Sequence, residues 1–450
     1  MAEYTQNYNL KKPAEEDFYD INDHNDNMDI IDTALKAHDD ALATIAINVR
    51  DFGAIGDGVA DDSTPIQNAI NHVESLGGGT VLLPNGTYLV KKSLLLPSNI
   101  HFKGNGKGTV IKGDFGSLVD PVLIGIKNCD TATGYDAAEN ITISDIAIDS
   151  PNTNGIGLAH AKNIKIYNIY GISVYWHFVD ISGCQNVVCD RLFLTGNATF
   201  APFQFDNLSD SGGLKIFDGV SEKNANVDGT VIDNAVLTNS IIEQTSTTNY
   251  GIHLHRSGGQ NITIRDCTIT GSMHGIYQDE NTQWENVVVD NVRFFNQHVR
   301  AVWFRPKVSA SIEHNKNLRI INCVAEGFGY QGFAVDGWAD VLIDKCTTNG
   351  LYDSDYAVTH TNISIWHSPN SIVSNVILGG DYKSPFGMRV VMPSSKNIII
   401  TNSIIKNADK GLFVGENAEA AHAGLIFKDV ENLISSSNGG VIIPYPVSTS

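Results

Sequence analysis

Asn261-Ile-Thr-Ile-Arg-Asp-Cys267 is one instance of a phrase that recurs along most of the chain. Written as Asn-Ile-x-Ile-x-Asp/Asn-apolar, it returns at Asn140 (NITISDI), Asn163 (NIKIYNI), Asn186 (NVVCDRL), Gly213 (GLKIFDG), Asn234 (NAVLTNS) and Asn286 (NVVVDNV). It continues at Asn317 (NLRIINC), Asp340 (DVLIDKC), Asn370 (NSIVSNV), Asn397 (NIIITNS) and Gly424 (GLIFKDV), with a related opening at Asn99. The spacing of 21 to 31 residues suits one coil of a solenoid built from two or three short strands. The aliphatic second and fourth positions stack inside, and the Asp or Asn at the sixth sits at a turn. Cys267, Cys323 and Cys346 share one inward position, so they read as buried free thiols; the six cysteines follow no metal or redox spacing.

Outward from this phrase runs a second repeat: Gly251-Ile-His-Leu-His255, Gly275-Ile-Tyr-Gln-Asp279, Ala301-Val-Trp-Phe-Arg305 and Gly332-Phe-Ala-Val-Asp336. Alternation sends Ile252, Leu254, Ile276, Val302, Phe304, Phe333 and Val335 inward. It displays His253, Tyr277 and Trp303 in one outer column and His255, Asp279, Arg305 and Asp336 in the next, with steps of about 4.8 Å if the coils stack in parallel.

The composition narrows the partners. Forty-one glycines and 18% charged residues favour a β-rich chain, and 30 Lys+Arg against 50 Asp+Glu give a net charge of −20. Such a field gathers no phosphates, so no nucleic acid is expected. No apolar run approaches 18 residues, and Met1-Ala-Glu-Tyr-Thr-Gln-Asn shows no basic and apolar leader, so neither a membrane span nor a signal peptide is expected.

Near the start, Ile21, His24, Met28, Ile31, Leu35, His38, Leu42 and Ile45 recur at spacings of three and four, a heptad seam too short to stand alone. A parallel homotrimer is the preferred reading, against one amphipathic helix lying on its own domain. Residues 48–70 then read as a strand, a glycine turn and a helix over Ile66, Ala69, Ile70 and Val73, with Asp62 or Ser63 as N-cap. That helix would cover the open end of the ladder. Asp57 and Asp61 read as turn residues.

Two resemblances follow from these residues. VRDFGAIGDGVADDSTPIQNAI with GGGTVLLPNGTYLV resembles the N-terminal cap of the pectate-lyase-like superfamily, which implies an all-β, right-handed parallel β-helix. NYNLKKPAEEDFYDINDHNDNMDIIDTAL resembles the leading module of tail-fibre proteins of Gram-positive phages and prophages. Together they imply four segments: 1–47, a tail-fibre-like module with a coiled-coil helix; 48–98, the cap; 99–435, the β-helix; and 436–450, an extended arm. They also imply a trimeric, virion-borne protein, made in the cytoplasm, that acts outside the cell on a surface polysaccharide. The Asn-Thr-Asp setting of polygalacturonases is missing around Asp279-Glu280, so no catalytic motif transfers whole.

Glycosidic hydrolysis needs a proton donor and a second carboxylate. Asp279 and Asp336, two coils apart, are the expected pair, with Arg305 between them and Glu280 and His255 as further proton carriers. Tyr277, Trp303 and Trp338 are expected to stack on sugar rings, and His253, Arg256, Arg389 and Asp206 to extend the cleft. An outward Asp or Arg on a solenoid also serves as a plain ladder partner. His253 and His255 find no third metal ligand from spacing, so no metal or cofactor is assigned, with a divalent cation such as calcium kept in view. A lyase using Arg305 or His255 as base, and a glycan receptor without catalysis, are the alternatives.

Overall fold

The computed structural model describes residues 3–12, 20–43, 46–118, 120–208, 214–244, 247–256, 258–279, 282–305, 315–350 and 360–444. Parallel strands wind into coils whose inner side chains form one continuous core from Val49 to Ala420. Each coil contributes to three faces. The repeat phrase supplies the first two: Ile262–Arg265 pairs with Val287–Asp290, and Thr268–Thr270 with Arg293–Phe295. The third face carries the displayed columns, with Tyr250–Leu254 on His274–Gln278 and then Arg300–Phe304. Ile252, Ile276, Val302, Phe304 and Phe333 are fully buried, as their alternation requires.

The corners explain the asparagines. Asn140, Asn163, Asn186, Asn261, Asn286 and Asn317 all have φ between 56° and 60°, the left-handed region. Asparagine tolerates that conformation better than other side chains that carry a Cβ. Each side chain then bonds the same position one coil away: Asn286 Nδ2 donates to Asn261 Oδ1 at 3.0 Å, and Asn317 Nδ2 to Asn286 Oδ1 at 2.8 Å. The sixth position makes a second ladder at the next corner, Asn291 Nδ2 to Asp266 Oδ1 at 2.7 Å and Asn168 Nδ2 to Asp145 Oδ1 at 2.8 Å.

Three expectations change. The phrase that begins at Gly213, itself outside the described residues, forms no coil strand: Lys215–Phe217 pairs antiparallel with Glu222–Asn224, in an excursion that lies back over earlier coils through Phe217 N–H to Ser93 Oγ at 2.9 Å. Asp62 does not cap its helix with its side chain; its carboxylate accepts the Ile55 and Gly56 amides at 2.7 and 3.1 Å, closing the glycine turn instead. Val441–Pro444 is still a ladder strand, paired with Glu419–His422, so the coils run past residue 435.

Helix α1 spans Ile21–Ala43 and helix α2 spans Ser63–Ser75. Helix α2 buries Ile66, Ala69, Ile70 and Val73 against the first coil. Helix α1 leaves its seam open: Met28 is 53% and Leu35 60% exposed, so this face does not lie on its own domain. His38, Leu42 and Ile45 fall outside the described side chains. All six cysteines are buried and unpaired, and burial pushes the Cys267 thiol up to about 12.

Replacing Asn286 by alanine removes two ladder bonds and leaves a Cβ residue in the left-handed region, a loss of about 2 kcal/mol. Asn286→Gly should recover part of it. Thermal unfolding of the two variants checks this; an alanine variant as stable as the parent would show the ladder to be ornamental.

Candidate functional site

The columns of the third face extend further toward the N-terminus than the sequence phrase suggested. Register places Asp180, Gln204, His253, Tyr277 and Trp303 in successive rungs of one line. The line then passes through Ala334 and Ser364 to Arg389. In the neighbouring line, Asp206 aligns with Ser182, and His255 and Asp279 follow on the next two coils through the backbone bonds His255 N to Phe205 O and Asp279 N to Leu254 O.

Where the lines begin, the face is hollowed into a cleft of about 430 Å³ lined by Trp176, His177, Asp180, Phe200, Gln204, Asp206, His255 and Arg256 among others. Leu214, carried by the 214–224 excursion, forms part of its wall, and Lys215 pairs with Asp120 beside it. The excursion is therefore a component of the site.

The carboxyls of Asp180 and Asp206 differ in environment. Gln204 Nε2 lies 3.4 Å from Asp180 Oδ2 and 3.2 Å from Asp206 Oδ2. Asp206 also meets His255 Nδ1 at 3.2 Å, Arg256 Nη1 at 3.5 Å and the Asn207 amide at 2.7 Å. Among the described residues, Asp180 has in addition Ser182 Oγ at 2.9 Å. Burial, reinforced by the negative charge of Asp206, pushes Asp180 up to about 7. One acid thus holds its proton near neutrality, as a proton donor must, beside a carboxyl paired with Arg256 and His255.

Beyond the cleft, His255 Nε2 is 3.2 Å and His253 Nε2 3.0 Å from the two oxygens of Asp279. Burial works against the charged form of His255, but the hydrogen bond and charge of Asp206 and the charge of Asp279 outweigh it and raise its pKa. Burial would raise the Asp279 carboxyl; the His253 contact and both histidines outweigh that and lower it. Burial lowers His253, and sends His177 down to about 3. The aromatic wall follows: Tyr277 stacks on Tyr250 at 4.1 Å and leans on Trp303 at 5.3 Å. The guanidiniums of Arg300 and Arg305 lie 3.9 and 4.7 Å from the Trp303 ring centre.

The structure thus brings together Asp206, His253, His255, Arg256, Asp279, Tyr277, Trp303 and Arg305. It does not gather the others. Asp336 bonds His367 Nδ1 at 2.8 Å, while Asp279 is held by the two histidines, so these two carboxyls have separate partners. Arg389 lies 3.9 Å from Glu416, further along the helix. Trp338 is fully buried against Phe304, its indole N–H donating to Gln278 at 2.8 Å, and stacks on no sugar. Glu280 lies outside the described residues. Sequence reading missed Asp180, Gln204 and His177. The alternation in Val179-Asp-Ile-Ser182 and Phe203-Gln-Phe-Asp206 would have found the first two had the column been followed two coils upstream.

A parallel β-helix with an acid- and ring-lined cleft on one flank is the class these features define. The chain belongs to the rhamnogalacturonase A/epimerase, pectate lyase-like family, whose sequence pattern matches residues 46–302. It is similar to plasmin and fibronectin-binding protein A of Streptococcus pneumoniae (strain ATCC BAA-255 / R6), 26% identical over 308 residues, which cover 66% of this chain and 38% of that protein. It is also similar to mannuronan C5-epimerase AlgE1 of Azotobacter vinelandii, 38% identical over 115 residues, 24% of this chain and 8% of that one. The match therefore spans well under half the length of either relative. In fold it resembles the N-terminal fragment of bacteriophage Phi29 gene product 12, with a TM-score of 0.64 at 20% identity, over 93% of this chain and 74% of the other.

An acid whose folded pKa is raised contributes stability in full below its unfolded value, about 3.9, and loses it as pH rises through about 7. Asp180→Asn should therefore lose less thermal stability than the parent between pH 5 and pH 8. Equal losses in both proteins would place the Asp180 proton elsewhere.

Proposed function

We propose that this protein binds a polysaccharide along the third face and cleaves it by glycosidic hydrolysis in the cleft, with Asp180 as proton donor and Asp206, paired with Arg256 and His255, as the second carboxyl. The observation that carries the reading is the pairing of a carboxyl raised to about 7 with a cation-held carboxyl, both in contact with one Gln204 amide. Their facing oxygens are therefore no more than 6.6 Å apart, 3.4 Å plus 3.2 Å, a bound that includes the roughly 5–5.5 Å of retaining acid pairs. Phe200 and Trp176 in the cleft offer ring faces to sugars. His255 and Asp279 orient Asp206 and extend the site.

The same reading makes the protein a homotrimer that works at the tip of a virion or outside the cell. The open apolar seam of α1 supports it, since Met28, Ile31 and Leu35 need a covering that the chain's own coils do not give. The likeness in fold to a bacteriophage gene product and the relation to a pneumococcal binding protein support the location. The binding-protein relative also favours a second reading, a glycan receptor that retains its ligand uncut.

Incubation with Gram-positive wall and capsule glycans, with the products sized, should show shortened chains. Asp180→Asn should slow cleavage by about 10²-fold or more while leaving retention of the glycan intact. Retention without new reducing ends in the parent supports the receptor reading, and ultraviolet absorbance from an unsaturated uronide would mean elimination.

Sedimentation equilibrium should give three times the chain mass of 48.7 kDa. A Met28→Asp, Leu35→Asp variant should sediment as one chain; a parent that does so already has no coiled coil.

A further inference from the structure

The two histidines above the cleft are held in a way that hydrolysis does not require. Gln204 Nε2 faces the carboxylate oxygens of Asp180 and Asp206, so its Oε1 is the atom turned to His253. That oxygen lies 3.1 Å from His253 Nδ1, and an acceptor there places the ring proton on Nδ1. Asp206 Oδ2 lies 3.2 Å from His255 Nδ1 and does the same for the second ring. Both Nε2 atoms are thereby left to face one carboxylate, Asp279, at 3.0 and 3.2 Å. His253 Nε2 is buried and, among the described residues, makes no hydrogen bond, because the short contact to Asp279 is poorly aligned for one.

A ring lone pair and a carboxylate oxygen at that distance repel unless a positive charge, a proton or a metal ion, sits between them. A metal ion supplies it to both rings at once. All three donor atoms lie within 4.8 Å of one another. Zinc takes imidazole nitrogen at about 2.0–2.1 Å and carboxylate oxygen at about 2.0–2.2 Å, which sets tetrahedral donors about 3.4 Å apart. The two nitrogen–oxygen contacts, at 3.0 and 3.2 Å, would open by a few tenths of an ångström to admit the ion. The backbone agrees with a built site: Arg256 adopts φ 54°, a strained value for arginine, and from there its amide bonds Asp279.

We propose that His253, His255 and Asp279 bind one divalent cation of the zinc class, with Gln204 and Asp206 as the outer partners that fix the two rings. Paired imidazoles select such an ion over calcium, so the cation kept in view from the sequence changes in kind. Three protein donors leave a position for an oxygen ligand on the side where His255 borders the cleft. The site stands on its own geometry and does not depend on the glycan reading.

The full-length protein, stripped with chelator and dialysed against zinc, should retain one ion per chain, and zinc but not calcium should raise its thermal midpoint. Cobalt in place of zinc should give visible absorption bands of a low-coordinate nitrogen and oxygen site. His255→Gln and Asp279→Asn should each abolish the one-to-one retention, and Asp206→Asn should weaken it about 10–100-fold. Circular dichroism identifies any variant that has lost its fold. A folded parent that keeps no zinc, or folded His255→Gln and Asp279→Asn variants that keep as much as the parent, would overturn the proposal.

Discussion

The side-chain ladder of asparagines at the coil corners is the constraint on which the rest depends. Backbone bonds between parallel strands fix spacing, but they do not by themselves decide where each coil must bend. A corner in the left-handed region costs an ordinary L-residue about 1–2 kcal/mol. Asparagine lowers that cost and joins its neighbours above and below, so bend and register are set by one residue type. The ladder even bridges the largest interruption. Asn234 Nδ2 reaches Asn186 Oδ1 at 2.8 Å although 48 residues separate them in sequence. The 214–224 excursion lies within that interval, and its Leu214 becomes part of the wall of the cleft.

Fixed register is what turns a repeat into a site. Each rung adds one side chain to a column, so Asp180, Gln204 and His253 meet although no two are closer than 24 residues in sequence. Within the columns, proton affinity is set by who stands on the next rung. Asp206 has Arg256 and His255 beside it; Asp180 has burial and a negative neighbour. Two aspartates one coil apart thereby stand in different surroundings, and burial beside a negative neighbour raises Asp180.

The winding and the inward aliphatic rows were readable because each depends on local alternation repeated many times. The outer columns from His253 to Trp303 and from His255 to Asp279 were readable for the same reason. Alternation fails once a turn intervenes. Gly337, at φ 68°, breaks the phase after Asp336, and Trp338 consequently enters the core instead of continuing an outer row. The cleft was not readable, because its wall comes from an excursion that has the repeat's consonance at Gly213 but none of its corner asparagine. Nor could spacing supply Asp279 as a partner of the two histidines, since that contact runs across coils.

The charge of the cleft bears on what it admits. The chain as a whole carries −20, yet the acids lining the cleft are individually offset. Asp120 is matched by Lys215 and Asp206 by Arg256 and His255, while Asp180 retains its proton up to about pH 7. A densely anionic polymer would have to approach through the field of the whole molecule and would then find few unengaged cations in the cleft. A neutral or sparsely charged glycan meets neither obstacle, and the ring faces of Trp176 and Phe200 suit the C–H faces of its sugars.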